Sequence, residues 1–194
     1  MDDKTKKRIS KRLSYVLRHN PSSIGVSLLS GGWIDVDDLL IALKKSGRDI
    51  ERDDLAFVVE NNDKQRFEWD REKDLIRARQ GHSVEIDLEY EPVQPPDVLY
   101  QGTATRFLDS IFEEGLIKGN RHHVHLSVKK ETLLQVGARH GKPAVLAIDA
   151  KSMFEQGYNF YVTGNDVWLT EHVPPEFLRE VDLGQLDKEF RSTN

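Results

Sequence analysis

The sequence predicts an α+β protein of two lobes, and three observations lead to that prediction. The first half carries apolar residues at the three- and four-residue spacing of amphipathic helices. The second half carries short runs rich in β-branched and aromatic residues, separated by helical segments. The stretch LEYEPVQPPD, residues 88–97, holds three prolines and is typical of a linker. We therefore predict one lobe over residues 1–88, a linker over 89–97 and a second lobe over 98–194.

The composition indicates a globular protein and excludes several kinds of chemistry. Of the 194 residues, 38% are hydrophobic and 31% are charged, and no apolar run approaches the roughly 20 residues of a membrane span. The N-terminal MDDKTKKR lacks the apolar core of a signal peptide. The absence of cysteine excludes disulfides, thiolate nucleophiles and cysteine-ligated zinc. We expect a cytoplasmic monomer with no membrane partner.

The charge of the chain is unevenly distributed. Residues 1–88 balance 17 cations against 17 carboxylates, so the remaining residues account for the whole net charge of -5. Within the neutral part, seven basic residues crowd the first predicted helix: Lys4, Lys6, Lys7, Arg8, Lys11, Arg12 and Arg18. This stripe is either a solvated helix face or a local phosphate-binding surface on an acidic protein.

The first lobe reads as three helices followed by a hairpin. The apolar stripe Ile9, Leu13, Val16 and Leu17 predicts a helix over residues 4–19. A second helix begins after the predicted N-cap Asp35 and stops before Gly47, and a third falls within RDIERDDLAFVVENND. The extended runs RFEWD and DLIRARQ, joined by REK, predict the hairpin. This order of elements is that of a winged helix, a fold that often binds nucleic acid.

The second lobe reads as short strands alternating with helices. The predicted strands are VLYQGT, HVHLS, AVLAIDA, FYVTG and DVWLT, and the predicted helices are TRFLDSIFEEG and KETLLQVGARHG. The sequence LYQGT predicts a strand that runs into a Gly-Thr turn before a helix. Backbone donors at such a turn suit the phosphates or ribose of a ligand.

Arginine and histidine lie side by side in YVLRHNP, residues 15–21, just before a helix-ending proline. Arg18 and His19 therefore fall at a helix C-terminus. Cations at that position complement the negative end of the helix dipole, which is one explanation of the pair. A role in binding or catalysis is the other.

Further polar residues stand at the ends of the predicted strands. Arg66 and Arg121 each lie just before a strand. The segment IRARQGHS closes the hairpin and offers side chains that could bind an anion: Arg77, Arg79, Gln80, His82 and Ser83.

Two glycine- or histidine-rich segments of the second lobe leave alternatives open. His123 and His125 are two residues apart on a predicted strand, which could reflect a zinc site, ordinary structural histidines, or a small-molecule pocket that also includes Ser127. In VGARHGKP, Arg139 and Lys142 flank a glycine turn, and they either complement a helix C-terminus or bind a ligand.

Taken together, seven stretches resemble one family in residue type and order. They are LSYVLRHNP, KQRFEW, IRARQGHS, YQGT, RHHVHLS, GARHGKP and NDVWLTEHVPPEFL. The chain resembles the NAD-dependent RNA 2'-phosphotransferases, also known as tRNA 2'-phosphotransferases, from about residue 4 to residue 180. The resemblance implies a winged-helix-like lobe that binds the RNA phosphate and an ADP-ribosyltransferase-like lobe that binds NAD.

The resemblance also implies a reaction and a set of site residues. Members of this family transfer an internal 2'-phosphate of RNA to NAD through an ADP-ribosylated 2'-phospho-RNA, releasing nicotinamide and ADP-ribose 1'',2''-cyclic phosphate. The catalytic set maps to Arg18, His19, Arg66 and Arg121. NAD contacts map to Tyr100, Gln101, Gly102, Thr103, His125, Ser127, Arg139 and Gly141, and RNA-phosphate contacts to Arg77, Arg79, Gln80, His82 and Ser83. We expect RNA with a 2'-phosphate, as in tRNA splicing, to be the partner, and no metal to be required.

One position departs from the family pattern. Gln101 stands where the family usually has a histidine, and its amide can still donate a hydrogen bond to a ribose hydroxyl. The alternative function is a non-enzymatic winged-helix regulator with a ligand-sensing second lobe. The acidic character of DVDDLLIALKKSG and ERDDLAFVVE counts against that alternative.

Overall fold

The structure is a computed structural model that describes residues 1–129, 133 and 141–185. The chain divides into two compact units, Met1–Glu89 and Tyr90–Asn194. Both units mix helices with antiparallel strands, as the sequence predicts. No helix in the described ranges is long and apolar enough to span a membrane.

The first unit contains three α-helices whose ends follow local sequence signals. They are α1 (Asp3–Arg18), α2 (Val36–Lys45) and α3 (Arg52–Glu60). Asp35 caps α2 as predicted, because its side chain accepts a hydrogen bond of 3.0 Å from the backbone N–H of Asp38. His19 is the C-cap of α1, and Pro21 begins a short 3₁₀ turn. The third helix begins at Arg52, inside the predicted stretch RDIERDDLAFVVENND, and Ile50 lies before the helix and is buried.

A small antiparallel sheet completes the first unit. Its strands are β1 (Ile34–Asp35), β2 (Phe67–Asp70) and β3 (Leu75–Ala78), in the order β1-β3-β2. The predicted hairpin is confirmed, with Phe67 opposite Ala78. Strand β1 was not predicted, because two residues are too few to show an alternating pattern.

One apolar core holds the helices of the first unit against this sheet. The predicted stripe of α1, Ile9, Leu13, Val16 and Leu17, is fully within it. Leu39, Leu55 and Ile76 contribute from α2, α3 and β3. The face of α1 opposite this stripe is left for solvent or ligand.

The described part of the second unit is built from short strands and two short helices. Its helices are α4 (Leu108–Glu114) and α5 (Ala150–Glu155). Its strands are β4 (Val98–Ala104), β5 (Leu116–Ile117), β6 (Val124–Leu126), β7 (Pro143–Asp149), β8 (Phe160–Val162), β9 (Trp168–Thr170), β10 (His172–Val173) and β11 (Leu178–Val181).

These strands form one two-stranded and two three-stranded antiparallel sheets. Their orders are β11-β7-β4, β6-β9-β8 and β10-β5. A single bridge between Tyr100 and Ser127 joins the outer edge of β4 to the end of β6. The five predicted strands are confirmed, whereas β5, β10, β11 and α5 were not predicted. The predicted helix KETLLQVGARHG lies outside the described residues except for Leu133 and Gly141.

The predicted Gly-Thr turn is wrong. Gly102 and Thr103 lie inside β4, opposite Val145 and Ala144 of β7, and the strand continues to Ala104. A 3₁₀ turn at Thr105–Phe107 then leads into α4. Pairing with the long central strand β7 extends β4 beyond the point at which glycine would otherwise break a strand.

Candidate active site

The backbone and side chains of a distant segment hold Arg18 and His19 in place. The Arg18 carbonyl, at the end of α1, accepts hydrogen bonds from the N–H groups of Ser83 (2.8 Å) and Val84 (3.3 Å). The Ser83 hydroxyl lies 2.9 Å from Nδ1 of His19. These contacts satisfy a carbonyl at the end of the helix and fix the plane of the imidazole ring.

Asn62 positions Arg66 through hydrogen bonds to its backbone and its side chain. The buried side-chain oxygen of Asn62 accepts from the backbone N–H and from Nη1 of Arg66, each at 3.4 Å. Its amide nitrogen donates to the Ser10 hydroxyl of α1 at 3.1 Å. Asn62 therefore connects the start of β2, where Arg66 lies, to the helix that ends at Arg18.

Three of the four predicted catalytic residues line one groove on the first unit. Arg18, His19 and Arg66 share an open groove of about 740 Å³ with residues of α1 and the turn after α3. Guanidinium groups bind phosphate oxygens in pairs, and a neighbouring imidazole can donate or accept a proton near neutral pH. The groove therefore has the chemistry to bind a phosphate dianion.

Four side chains of the IRARQGHS segment contact other protein groups or are buried. Arg77 pairs with Glu68 at 2.9 Å and lies 4.4 Å over the Trp33 ring. Arg79 approaches the same carboxylate at 3.7 Å. Gln80 and His82 are buried, at 9% and 1% exposure. Arg77 and Arg79 thus face a protein carboxylate, and Gln80 and His82 are buried. Their assignment as RNA-phosphate contacts stays a prediction.

Ser83 is the predicted RNA-phosphate residue that lies beside Arg18 and His19. Its side chain is exposed, and its contact is with His19. The last residue of the IRARQGHS segment thus contacts both the Arg18 carbonyl and the His19 ring. The sequence singled out this segment, but it did not show that its backbone contacts the end of α1.

In the second unit, the predicted nucleotide-binding residues meet at the outer edge of β4. The backbone N–H of Tyr100 donates to the Ser127 carbonyl at 3.0 Å, and the N–H of Ser127 donates to the Tyr100 carbonyl at 2.9 Å. Because strand residues alternate, the N–H and carbonyl of Gly102 point toward this same edge. Tyr100, Gly102 and Ser127 are thus brought together.

The packing at Gly102 leaves no room for a side chain. A Cβ there would lie 2.0 Å from the Leu133 carbonyl oxygen. Beside it, the buried Oε1 of Gln101 has no hydrogen-bond partner in the described ranges. Thr103 is buried. A buried amide oxygen with no partner among the described residues fits a bound molecule that brings its own hydrogen-bond donors, such as ribose hydroxyls.

Arg121 and the histidines form a second polar group in this unit. Nη1 of Arg121 lies 3.3 Å from Nδ1 of His125. His123 contacts the edge of the Tyr161 ring, 5.3 Å between centroids. Burial, with smaller contributions from His122 and Lys118, lowers the pKa of His123. The described residues contain no cluster of three or more His, Asp or Glu side chains suited to a metal.

Of two further predicted NAD contacts, the structure describes one. Arg139 lies outside the described residues. Gly141 precedes β7 with φ of 133°, a conformation that side chains rarely adopt.

The sequence analysis missed Asn62 as a residue of the site. Its signal was present as a short polar stretch, ENND, directly before KQRFEW. An asparagine after a helix often accepts hydrogen bonds from N–H groups two to four residues on, as Asn62 does from Lys64 and Arg66. Its contact with Ser10, 52 residues away, could not be read locally.

The α+β fold and the groove lined by arginine and histidine define a class of protein that is equipped to bind phosphate. Comparison with known proteins agrees with this class. The family described as "RNA 2'-phosphotransferase, Tpt1 / KptA family" matches residues 4–172. The chain belongs to the RNA 2'-phosphotransferase family.

Curated relatives match over nearly their entire lengths, and each is named "Probable RNA 2'-phosphotransferase". A protein of Nostoc punctiforme is 53% identical over 93% of this chain and 100% of its own length. One from Pseudomonas aeruginosa is 52% identical over the same shares. One from Hahella chejuensis is 49% identical over 94% of this chain and 97% of its own length.

Proposed function

We propose that this protein is an NAD-dependent enzyme that removes an internal 2'-phosphate from RNA. An oxygen of the RNA 2'-phosphate displaces nicotinamide from the ribose carbon of NAD, and the ribose 2''-hydroxyl then attacks phosphorus, releasing RNA with a 2'-hydroxyl and ADP-ribose 1'',2''-cyclic phosphate. The observation that carries the proposal is the joint placement of Arg18, His19 and Arg66 along one groove.

Within this proposal, the two arginines of the groove bind the phosphate. A phosphate dianion repels other phosphates, and rigid guanidinium forks offset this repulsion by bidentate hydrogen bonds. Charge builds on the phosphoryl oxygens in the second step, where preorganised donors lower the barrier. Asn62 keeps Arg66 preorganised through its hydrogen bonds of 3.4 Å.

His19 is proposed to move a proton in the second step. Its ring is fixed by the contact of 2.9 Å between Nδ1 and the Ser83 hydroxyl. A histidine fixed in this way can take a proton from an attacking hydroxyl or donate to a phosphoryl oxygen. Arg121, held near His125, is proposed as the fourth catalytic residue.

The second unit is proposed to bind NAD at the outer edge of β4. The support is the N–H and carbonyl of Gly102, which point toward this edge, and the buried Oε1 of Gln101, which has no hydrogen-bond partner among the described residues. We interpret the two units as a winged-helix-like RNA lobe and an ADP-ribosyltransferase-like lobe, working as a cytoplasmic monomer in RNA processing of the tRNA-splicing type.

The test is to incubate the protein with NAD and a synthetic RNA that carries one internal 2'-phosphate. We expect nicotinamide release in equal amount to dephosphorylated RNA, with activity retained in EDTA. The matched controls are the same RNA without the 2'-phosphate and the His19→Ala variant. Nicotinamide release that is independent of the 2'-phosphate, or RNA dephosphorylation without NAD, would contradict the proposal.

A further inference from the structure

We infer that the groove on the first unit continues past Arg18 as a binding track for the RNA backbone that flanks the 2'-phosphorylated nucleotide, with Lys7 and Lys11 contacting its phosphates. This inference rests on the proposed function, which places the 2'-phosphate at Arg18, His19 and Arg66. It concerns residues that the catalytic assignment leaves out.

The exposed face of α1 carries the track. Lys7, Lys11, Ser14 and Arg18 all line the groove. At 100° per residue they fall within an arc of about 60° on the helix. The core residues Ile9 and Val16 lie on the opposite side of α1. The same helix therefore anchors the unit with one face and presents a row of polar and basic side chains with the other.

The length of the row exceeds what a single nucleotide needs. The rise of an α-helix places Lys11 about 10 Å and Lys7 about 16 Å from Arg18 along the axis. Successive phosphates of one strand in a duplex are about 3.4 Å apart along its axis. An RNA whose 2'-phosphate lies at Arg18 would therefore reach Lys11 and Lys7 with other phosphates of its backbone.

The charge of the groove favours a polyanion. Six cationic side chains line it besides His19, namely Lys6, Lys7, Lys11, Arg18, Lys64 and Arg66, against two carboxylates, Asp3 and Asp63. Asp3 lies 3.8 Å from Lys6. In the part of the chain that the structure describes, no ion pair involves Lys7 or Lys11, and both are exposed. The local excess of positive charge contrasts with the net charge of -5 for the whole chain.

The other side chains of the groove favour RNA backbone over an acidic peptide. Ser10, Ser14, Asn61 and Asn62 contribute hydroxyl and amide groups, while Val58 and the aromatic ring of Tyr15 are the apolar side chains in the lining. Hydroxyl and amide donors are typical contacts to phosphate and sugar oxygens. A groove for peptide side chains would instead be expected to offer apolar pockets.

The experiment compares two substrates that differ only in flanking backbone. One is a 2'-phosphorylated dinucleotide, and the other is an oligoribonucleotide of the same core sequence extended on both sides. The variants are Lys7→Ala and Lys11→Ala, singly and together. Arg8→Ala is the matched control, because Arg8 is an exposed cation on the same helix that does not line the groove.

We expect each lysine substitution to weaken binding of the long RNA about fivefold at 0.1 M salt, and the double variant about 25-fold. The slope of log K against log salt should become shallower by about 0.7 for each lysine removed. KM for the long RNA should rise with kcat unchanged, and kinetics on the dinucleotide should stay as in the wild type. Alanine favours helix, so α1 is expected to stay folded, which circular dichroism checks.

Three results would overturn the inference. They are an equal loss on the dinucleotide and the long RNA, an unchanged affinity for the long RNA, or an equal effect of Arg8→Ala. Displacement of the long RNA by polyglutamate as readily as by unmodified RNA would also overturn it in favour of an acidic peptide. If the wild type converts neither the dinucleotide nor the long RNA with NAD, the proposed function fails, while the salt dependence of RNA binding in the lysine variants still tests the track.

Discussion

The two units hold their candidate site residues by different means. In the first unit, side chains from distant parts of the sequence orient Arg66 and His19, through Asn62 and Ser83. In the second, the strand backbone at Tyr100 and Ser127 shapes the edge, and Gly102 contributes only the lack of a side chain. A site held by side chains should lose activity through small polar changes that leave the fold intact. A site shaped by backbone should instead be destabilised when a substitution adds atoms to it.

The largest effect is expected at His19 and Arg18. General acid–base catalysis contributes about 10²–10⁴-fold, and one lost oxyanion donor costs about 10²–10³-fold. We expect His19→Ala and Arg18→Ala to slow the second step more than the first, so that ADP-ribosylated 2'-phospho-RNA accumulates. Arg121→Ala should behave similarly if it contacts the transferred phosphate. Single-turnover reactions resolved on a gel measure both steps.

The first step provides the contrast within that experiment. Nicotinamide is a leaving group activated by its own positive charge, so its expulsion depends less on a proton-transfer residue. If His19→Ala blocks nicotinamide release as strongly as product formation, with no intermediate at any time, the assignment of His19 to the second step is wrong.

Gly102→Ala should produce the largest loss of stability. The added methyl would meet the Leu133 carbonyl at 2.0 Å, and backbone atoms give way less easily than a side chain. We expect a loss of about 3 kcal/mol, the upper end for overpacking, measured by urea denaturation. Gly47→Ala is a poor fit to its positive φ of 77° but meets no atom within 4 Å. The Gly47→Ala variant therefore measures conformational strain without a clash. An equal loss of unfolding free energy in Gly47→Ala and Gly102→Ala would argue against the clash at Gly102.

Asn62→Ala should affect activity through Arg66 rather than through substrate contact. It removes the acceptor of three hydrogen bonds to Lys64 and Arg66. We expect a loss of about 1–3 kcal/mol in stability, the cost of unsatisfied buried groups, and about a tenfold lower kcat. Glu60→Ala is the control, because Glu60 is the last residue of α3 and does not line the groove. An unchanged kcat for Asn62→Ala would show that Arg66 does not need this support.

Ser83→Ala should cause a smaller change, concentrated in the pH dependence of kcat. The hydroxyl, 2.9 Å from Nδ1 of His19, fixes the ring but does not contribute charge. We expect a severalfold lower kcat and a displaced limb of the pH profile, with Ser83→Thr restoring both because the hydroxyl is kept. A uniform loss at every pH without rescue by threonine would point to a packing role instead.

The smallest effect is expected at His123, in the stability of the second unit. Burial lowers its pKa, so the unfolded chain binds this proton more readily than the folded chain. Its contribution to stability is therefore present above about pH 6.5 and is lost as the pH falls through the lower, folded pKa. His123→Phe should flatten the pH dependence of the melting temperature in this range. A steeper dependence in the variant would reverse the sign assigned here.

Several parts of the fold could be predicted because their signals are local. The helix-capping aspartate at residue 35, the proline that follows α1 and the charged turn between β2 and β3 each act within a few residues. The burial of Ile9, Leu13 and Leu17 follows from helical periodicity in the same way. Resemblance to a family located the candidate residues, without showing which of them lie side by side.

The sequence by itself determined the three helices of the first unit, helix α4, the hairpin, the main strands and the types of residue that could bind a phosphate. Only the tertiary structure decided that β4 continues through Gly102, that His82 is buried, and that Asn62 and Ser83 hydrogen-bond to Arg66 and His19. The physical reason is the distance along the chain. Caps and periodic stripes act between neighbours, whereas Ser83 is 64 residues from His19 and Asn62 is 52 from Ser10. Such contacts form only when the packed core brings those segments together, because no local propensity specifies a partner so far away.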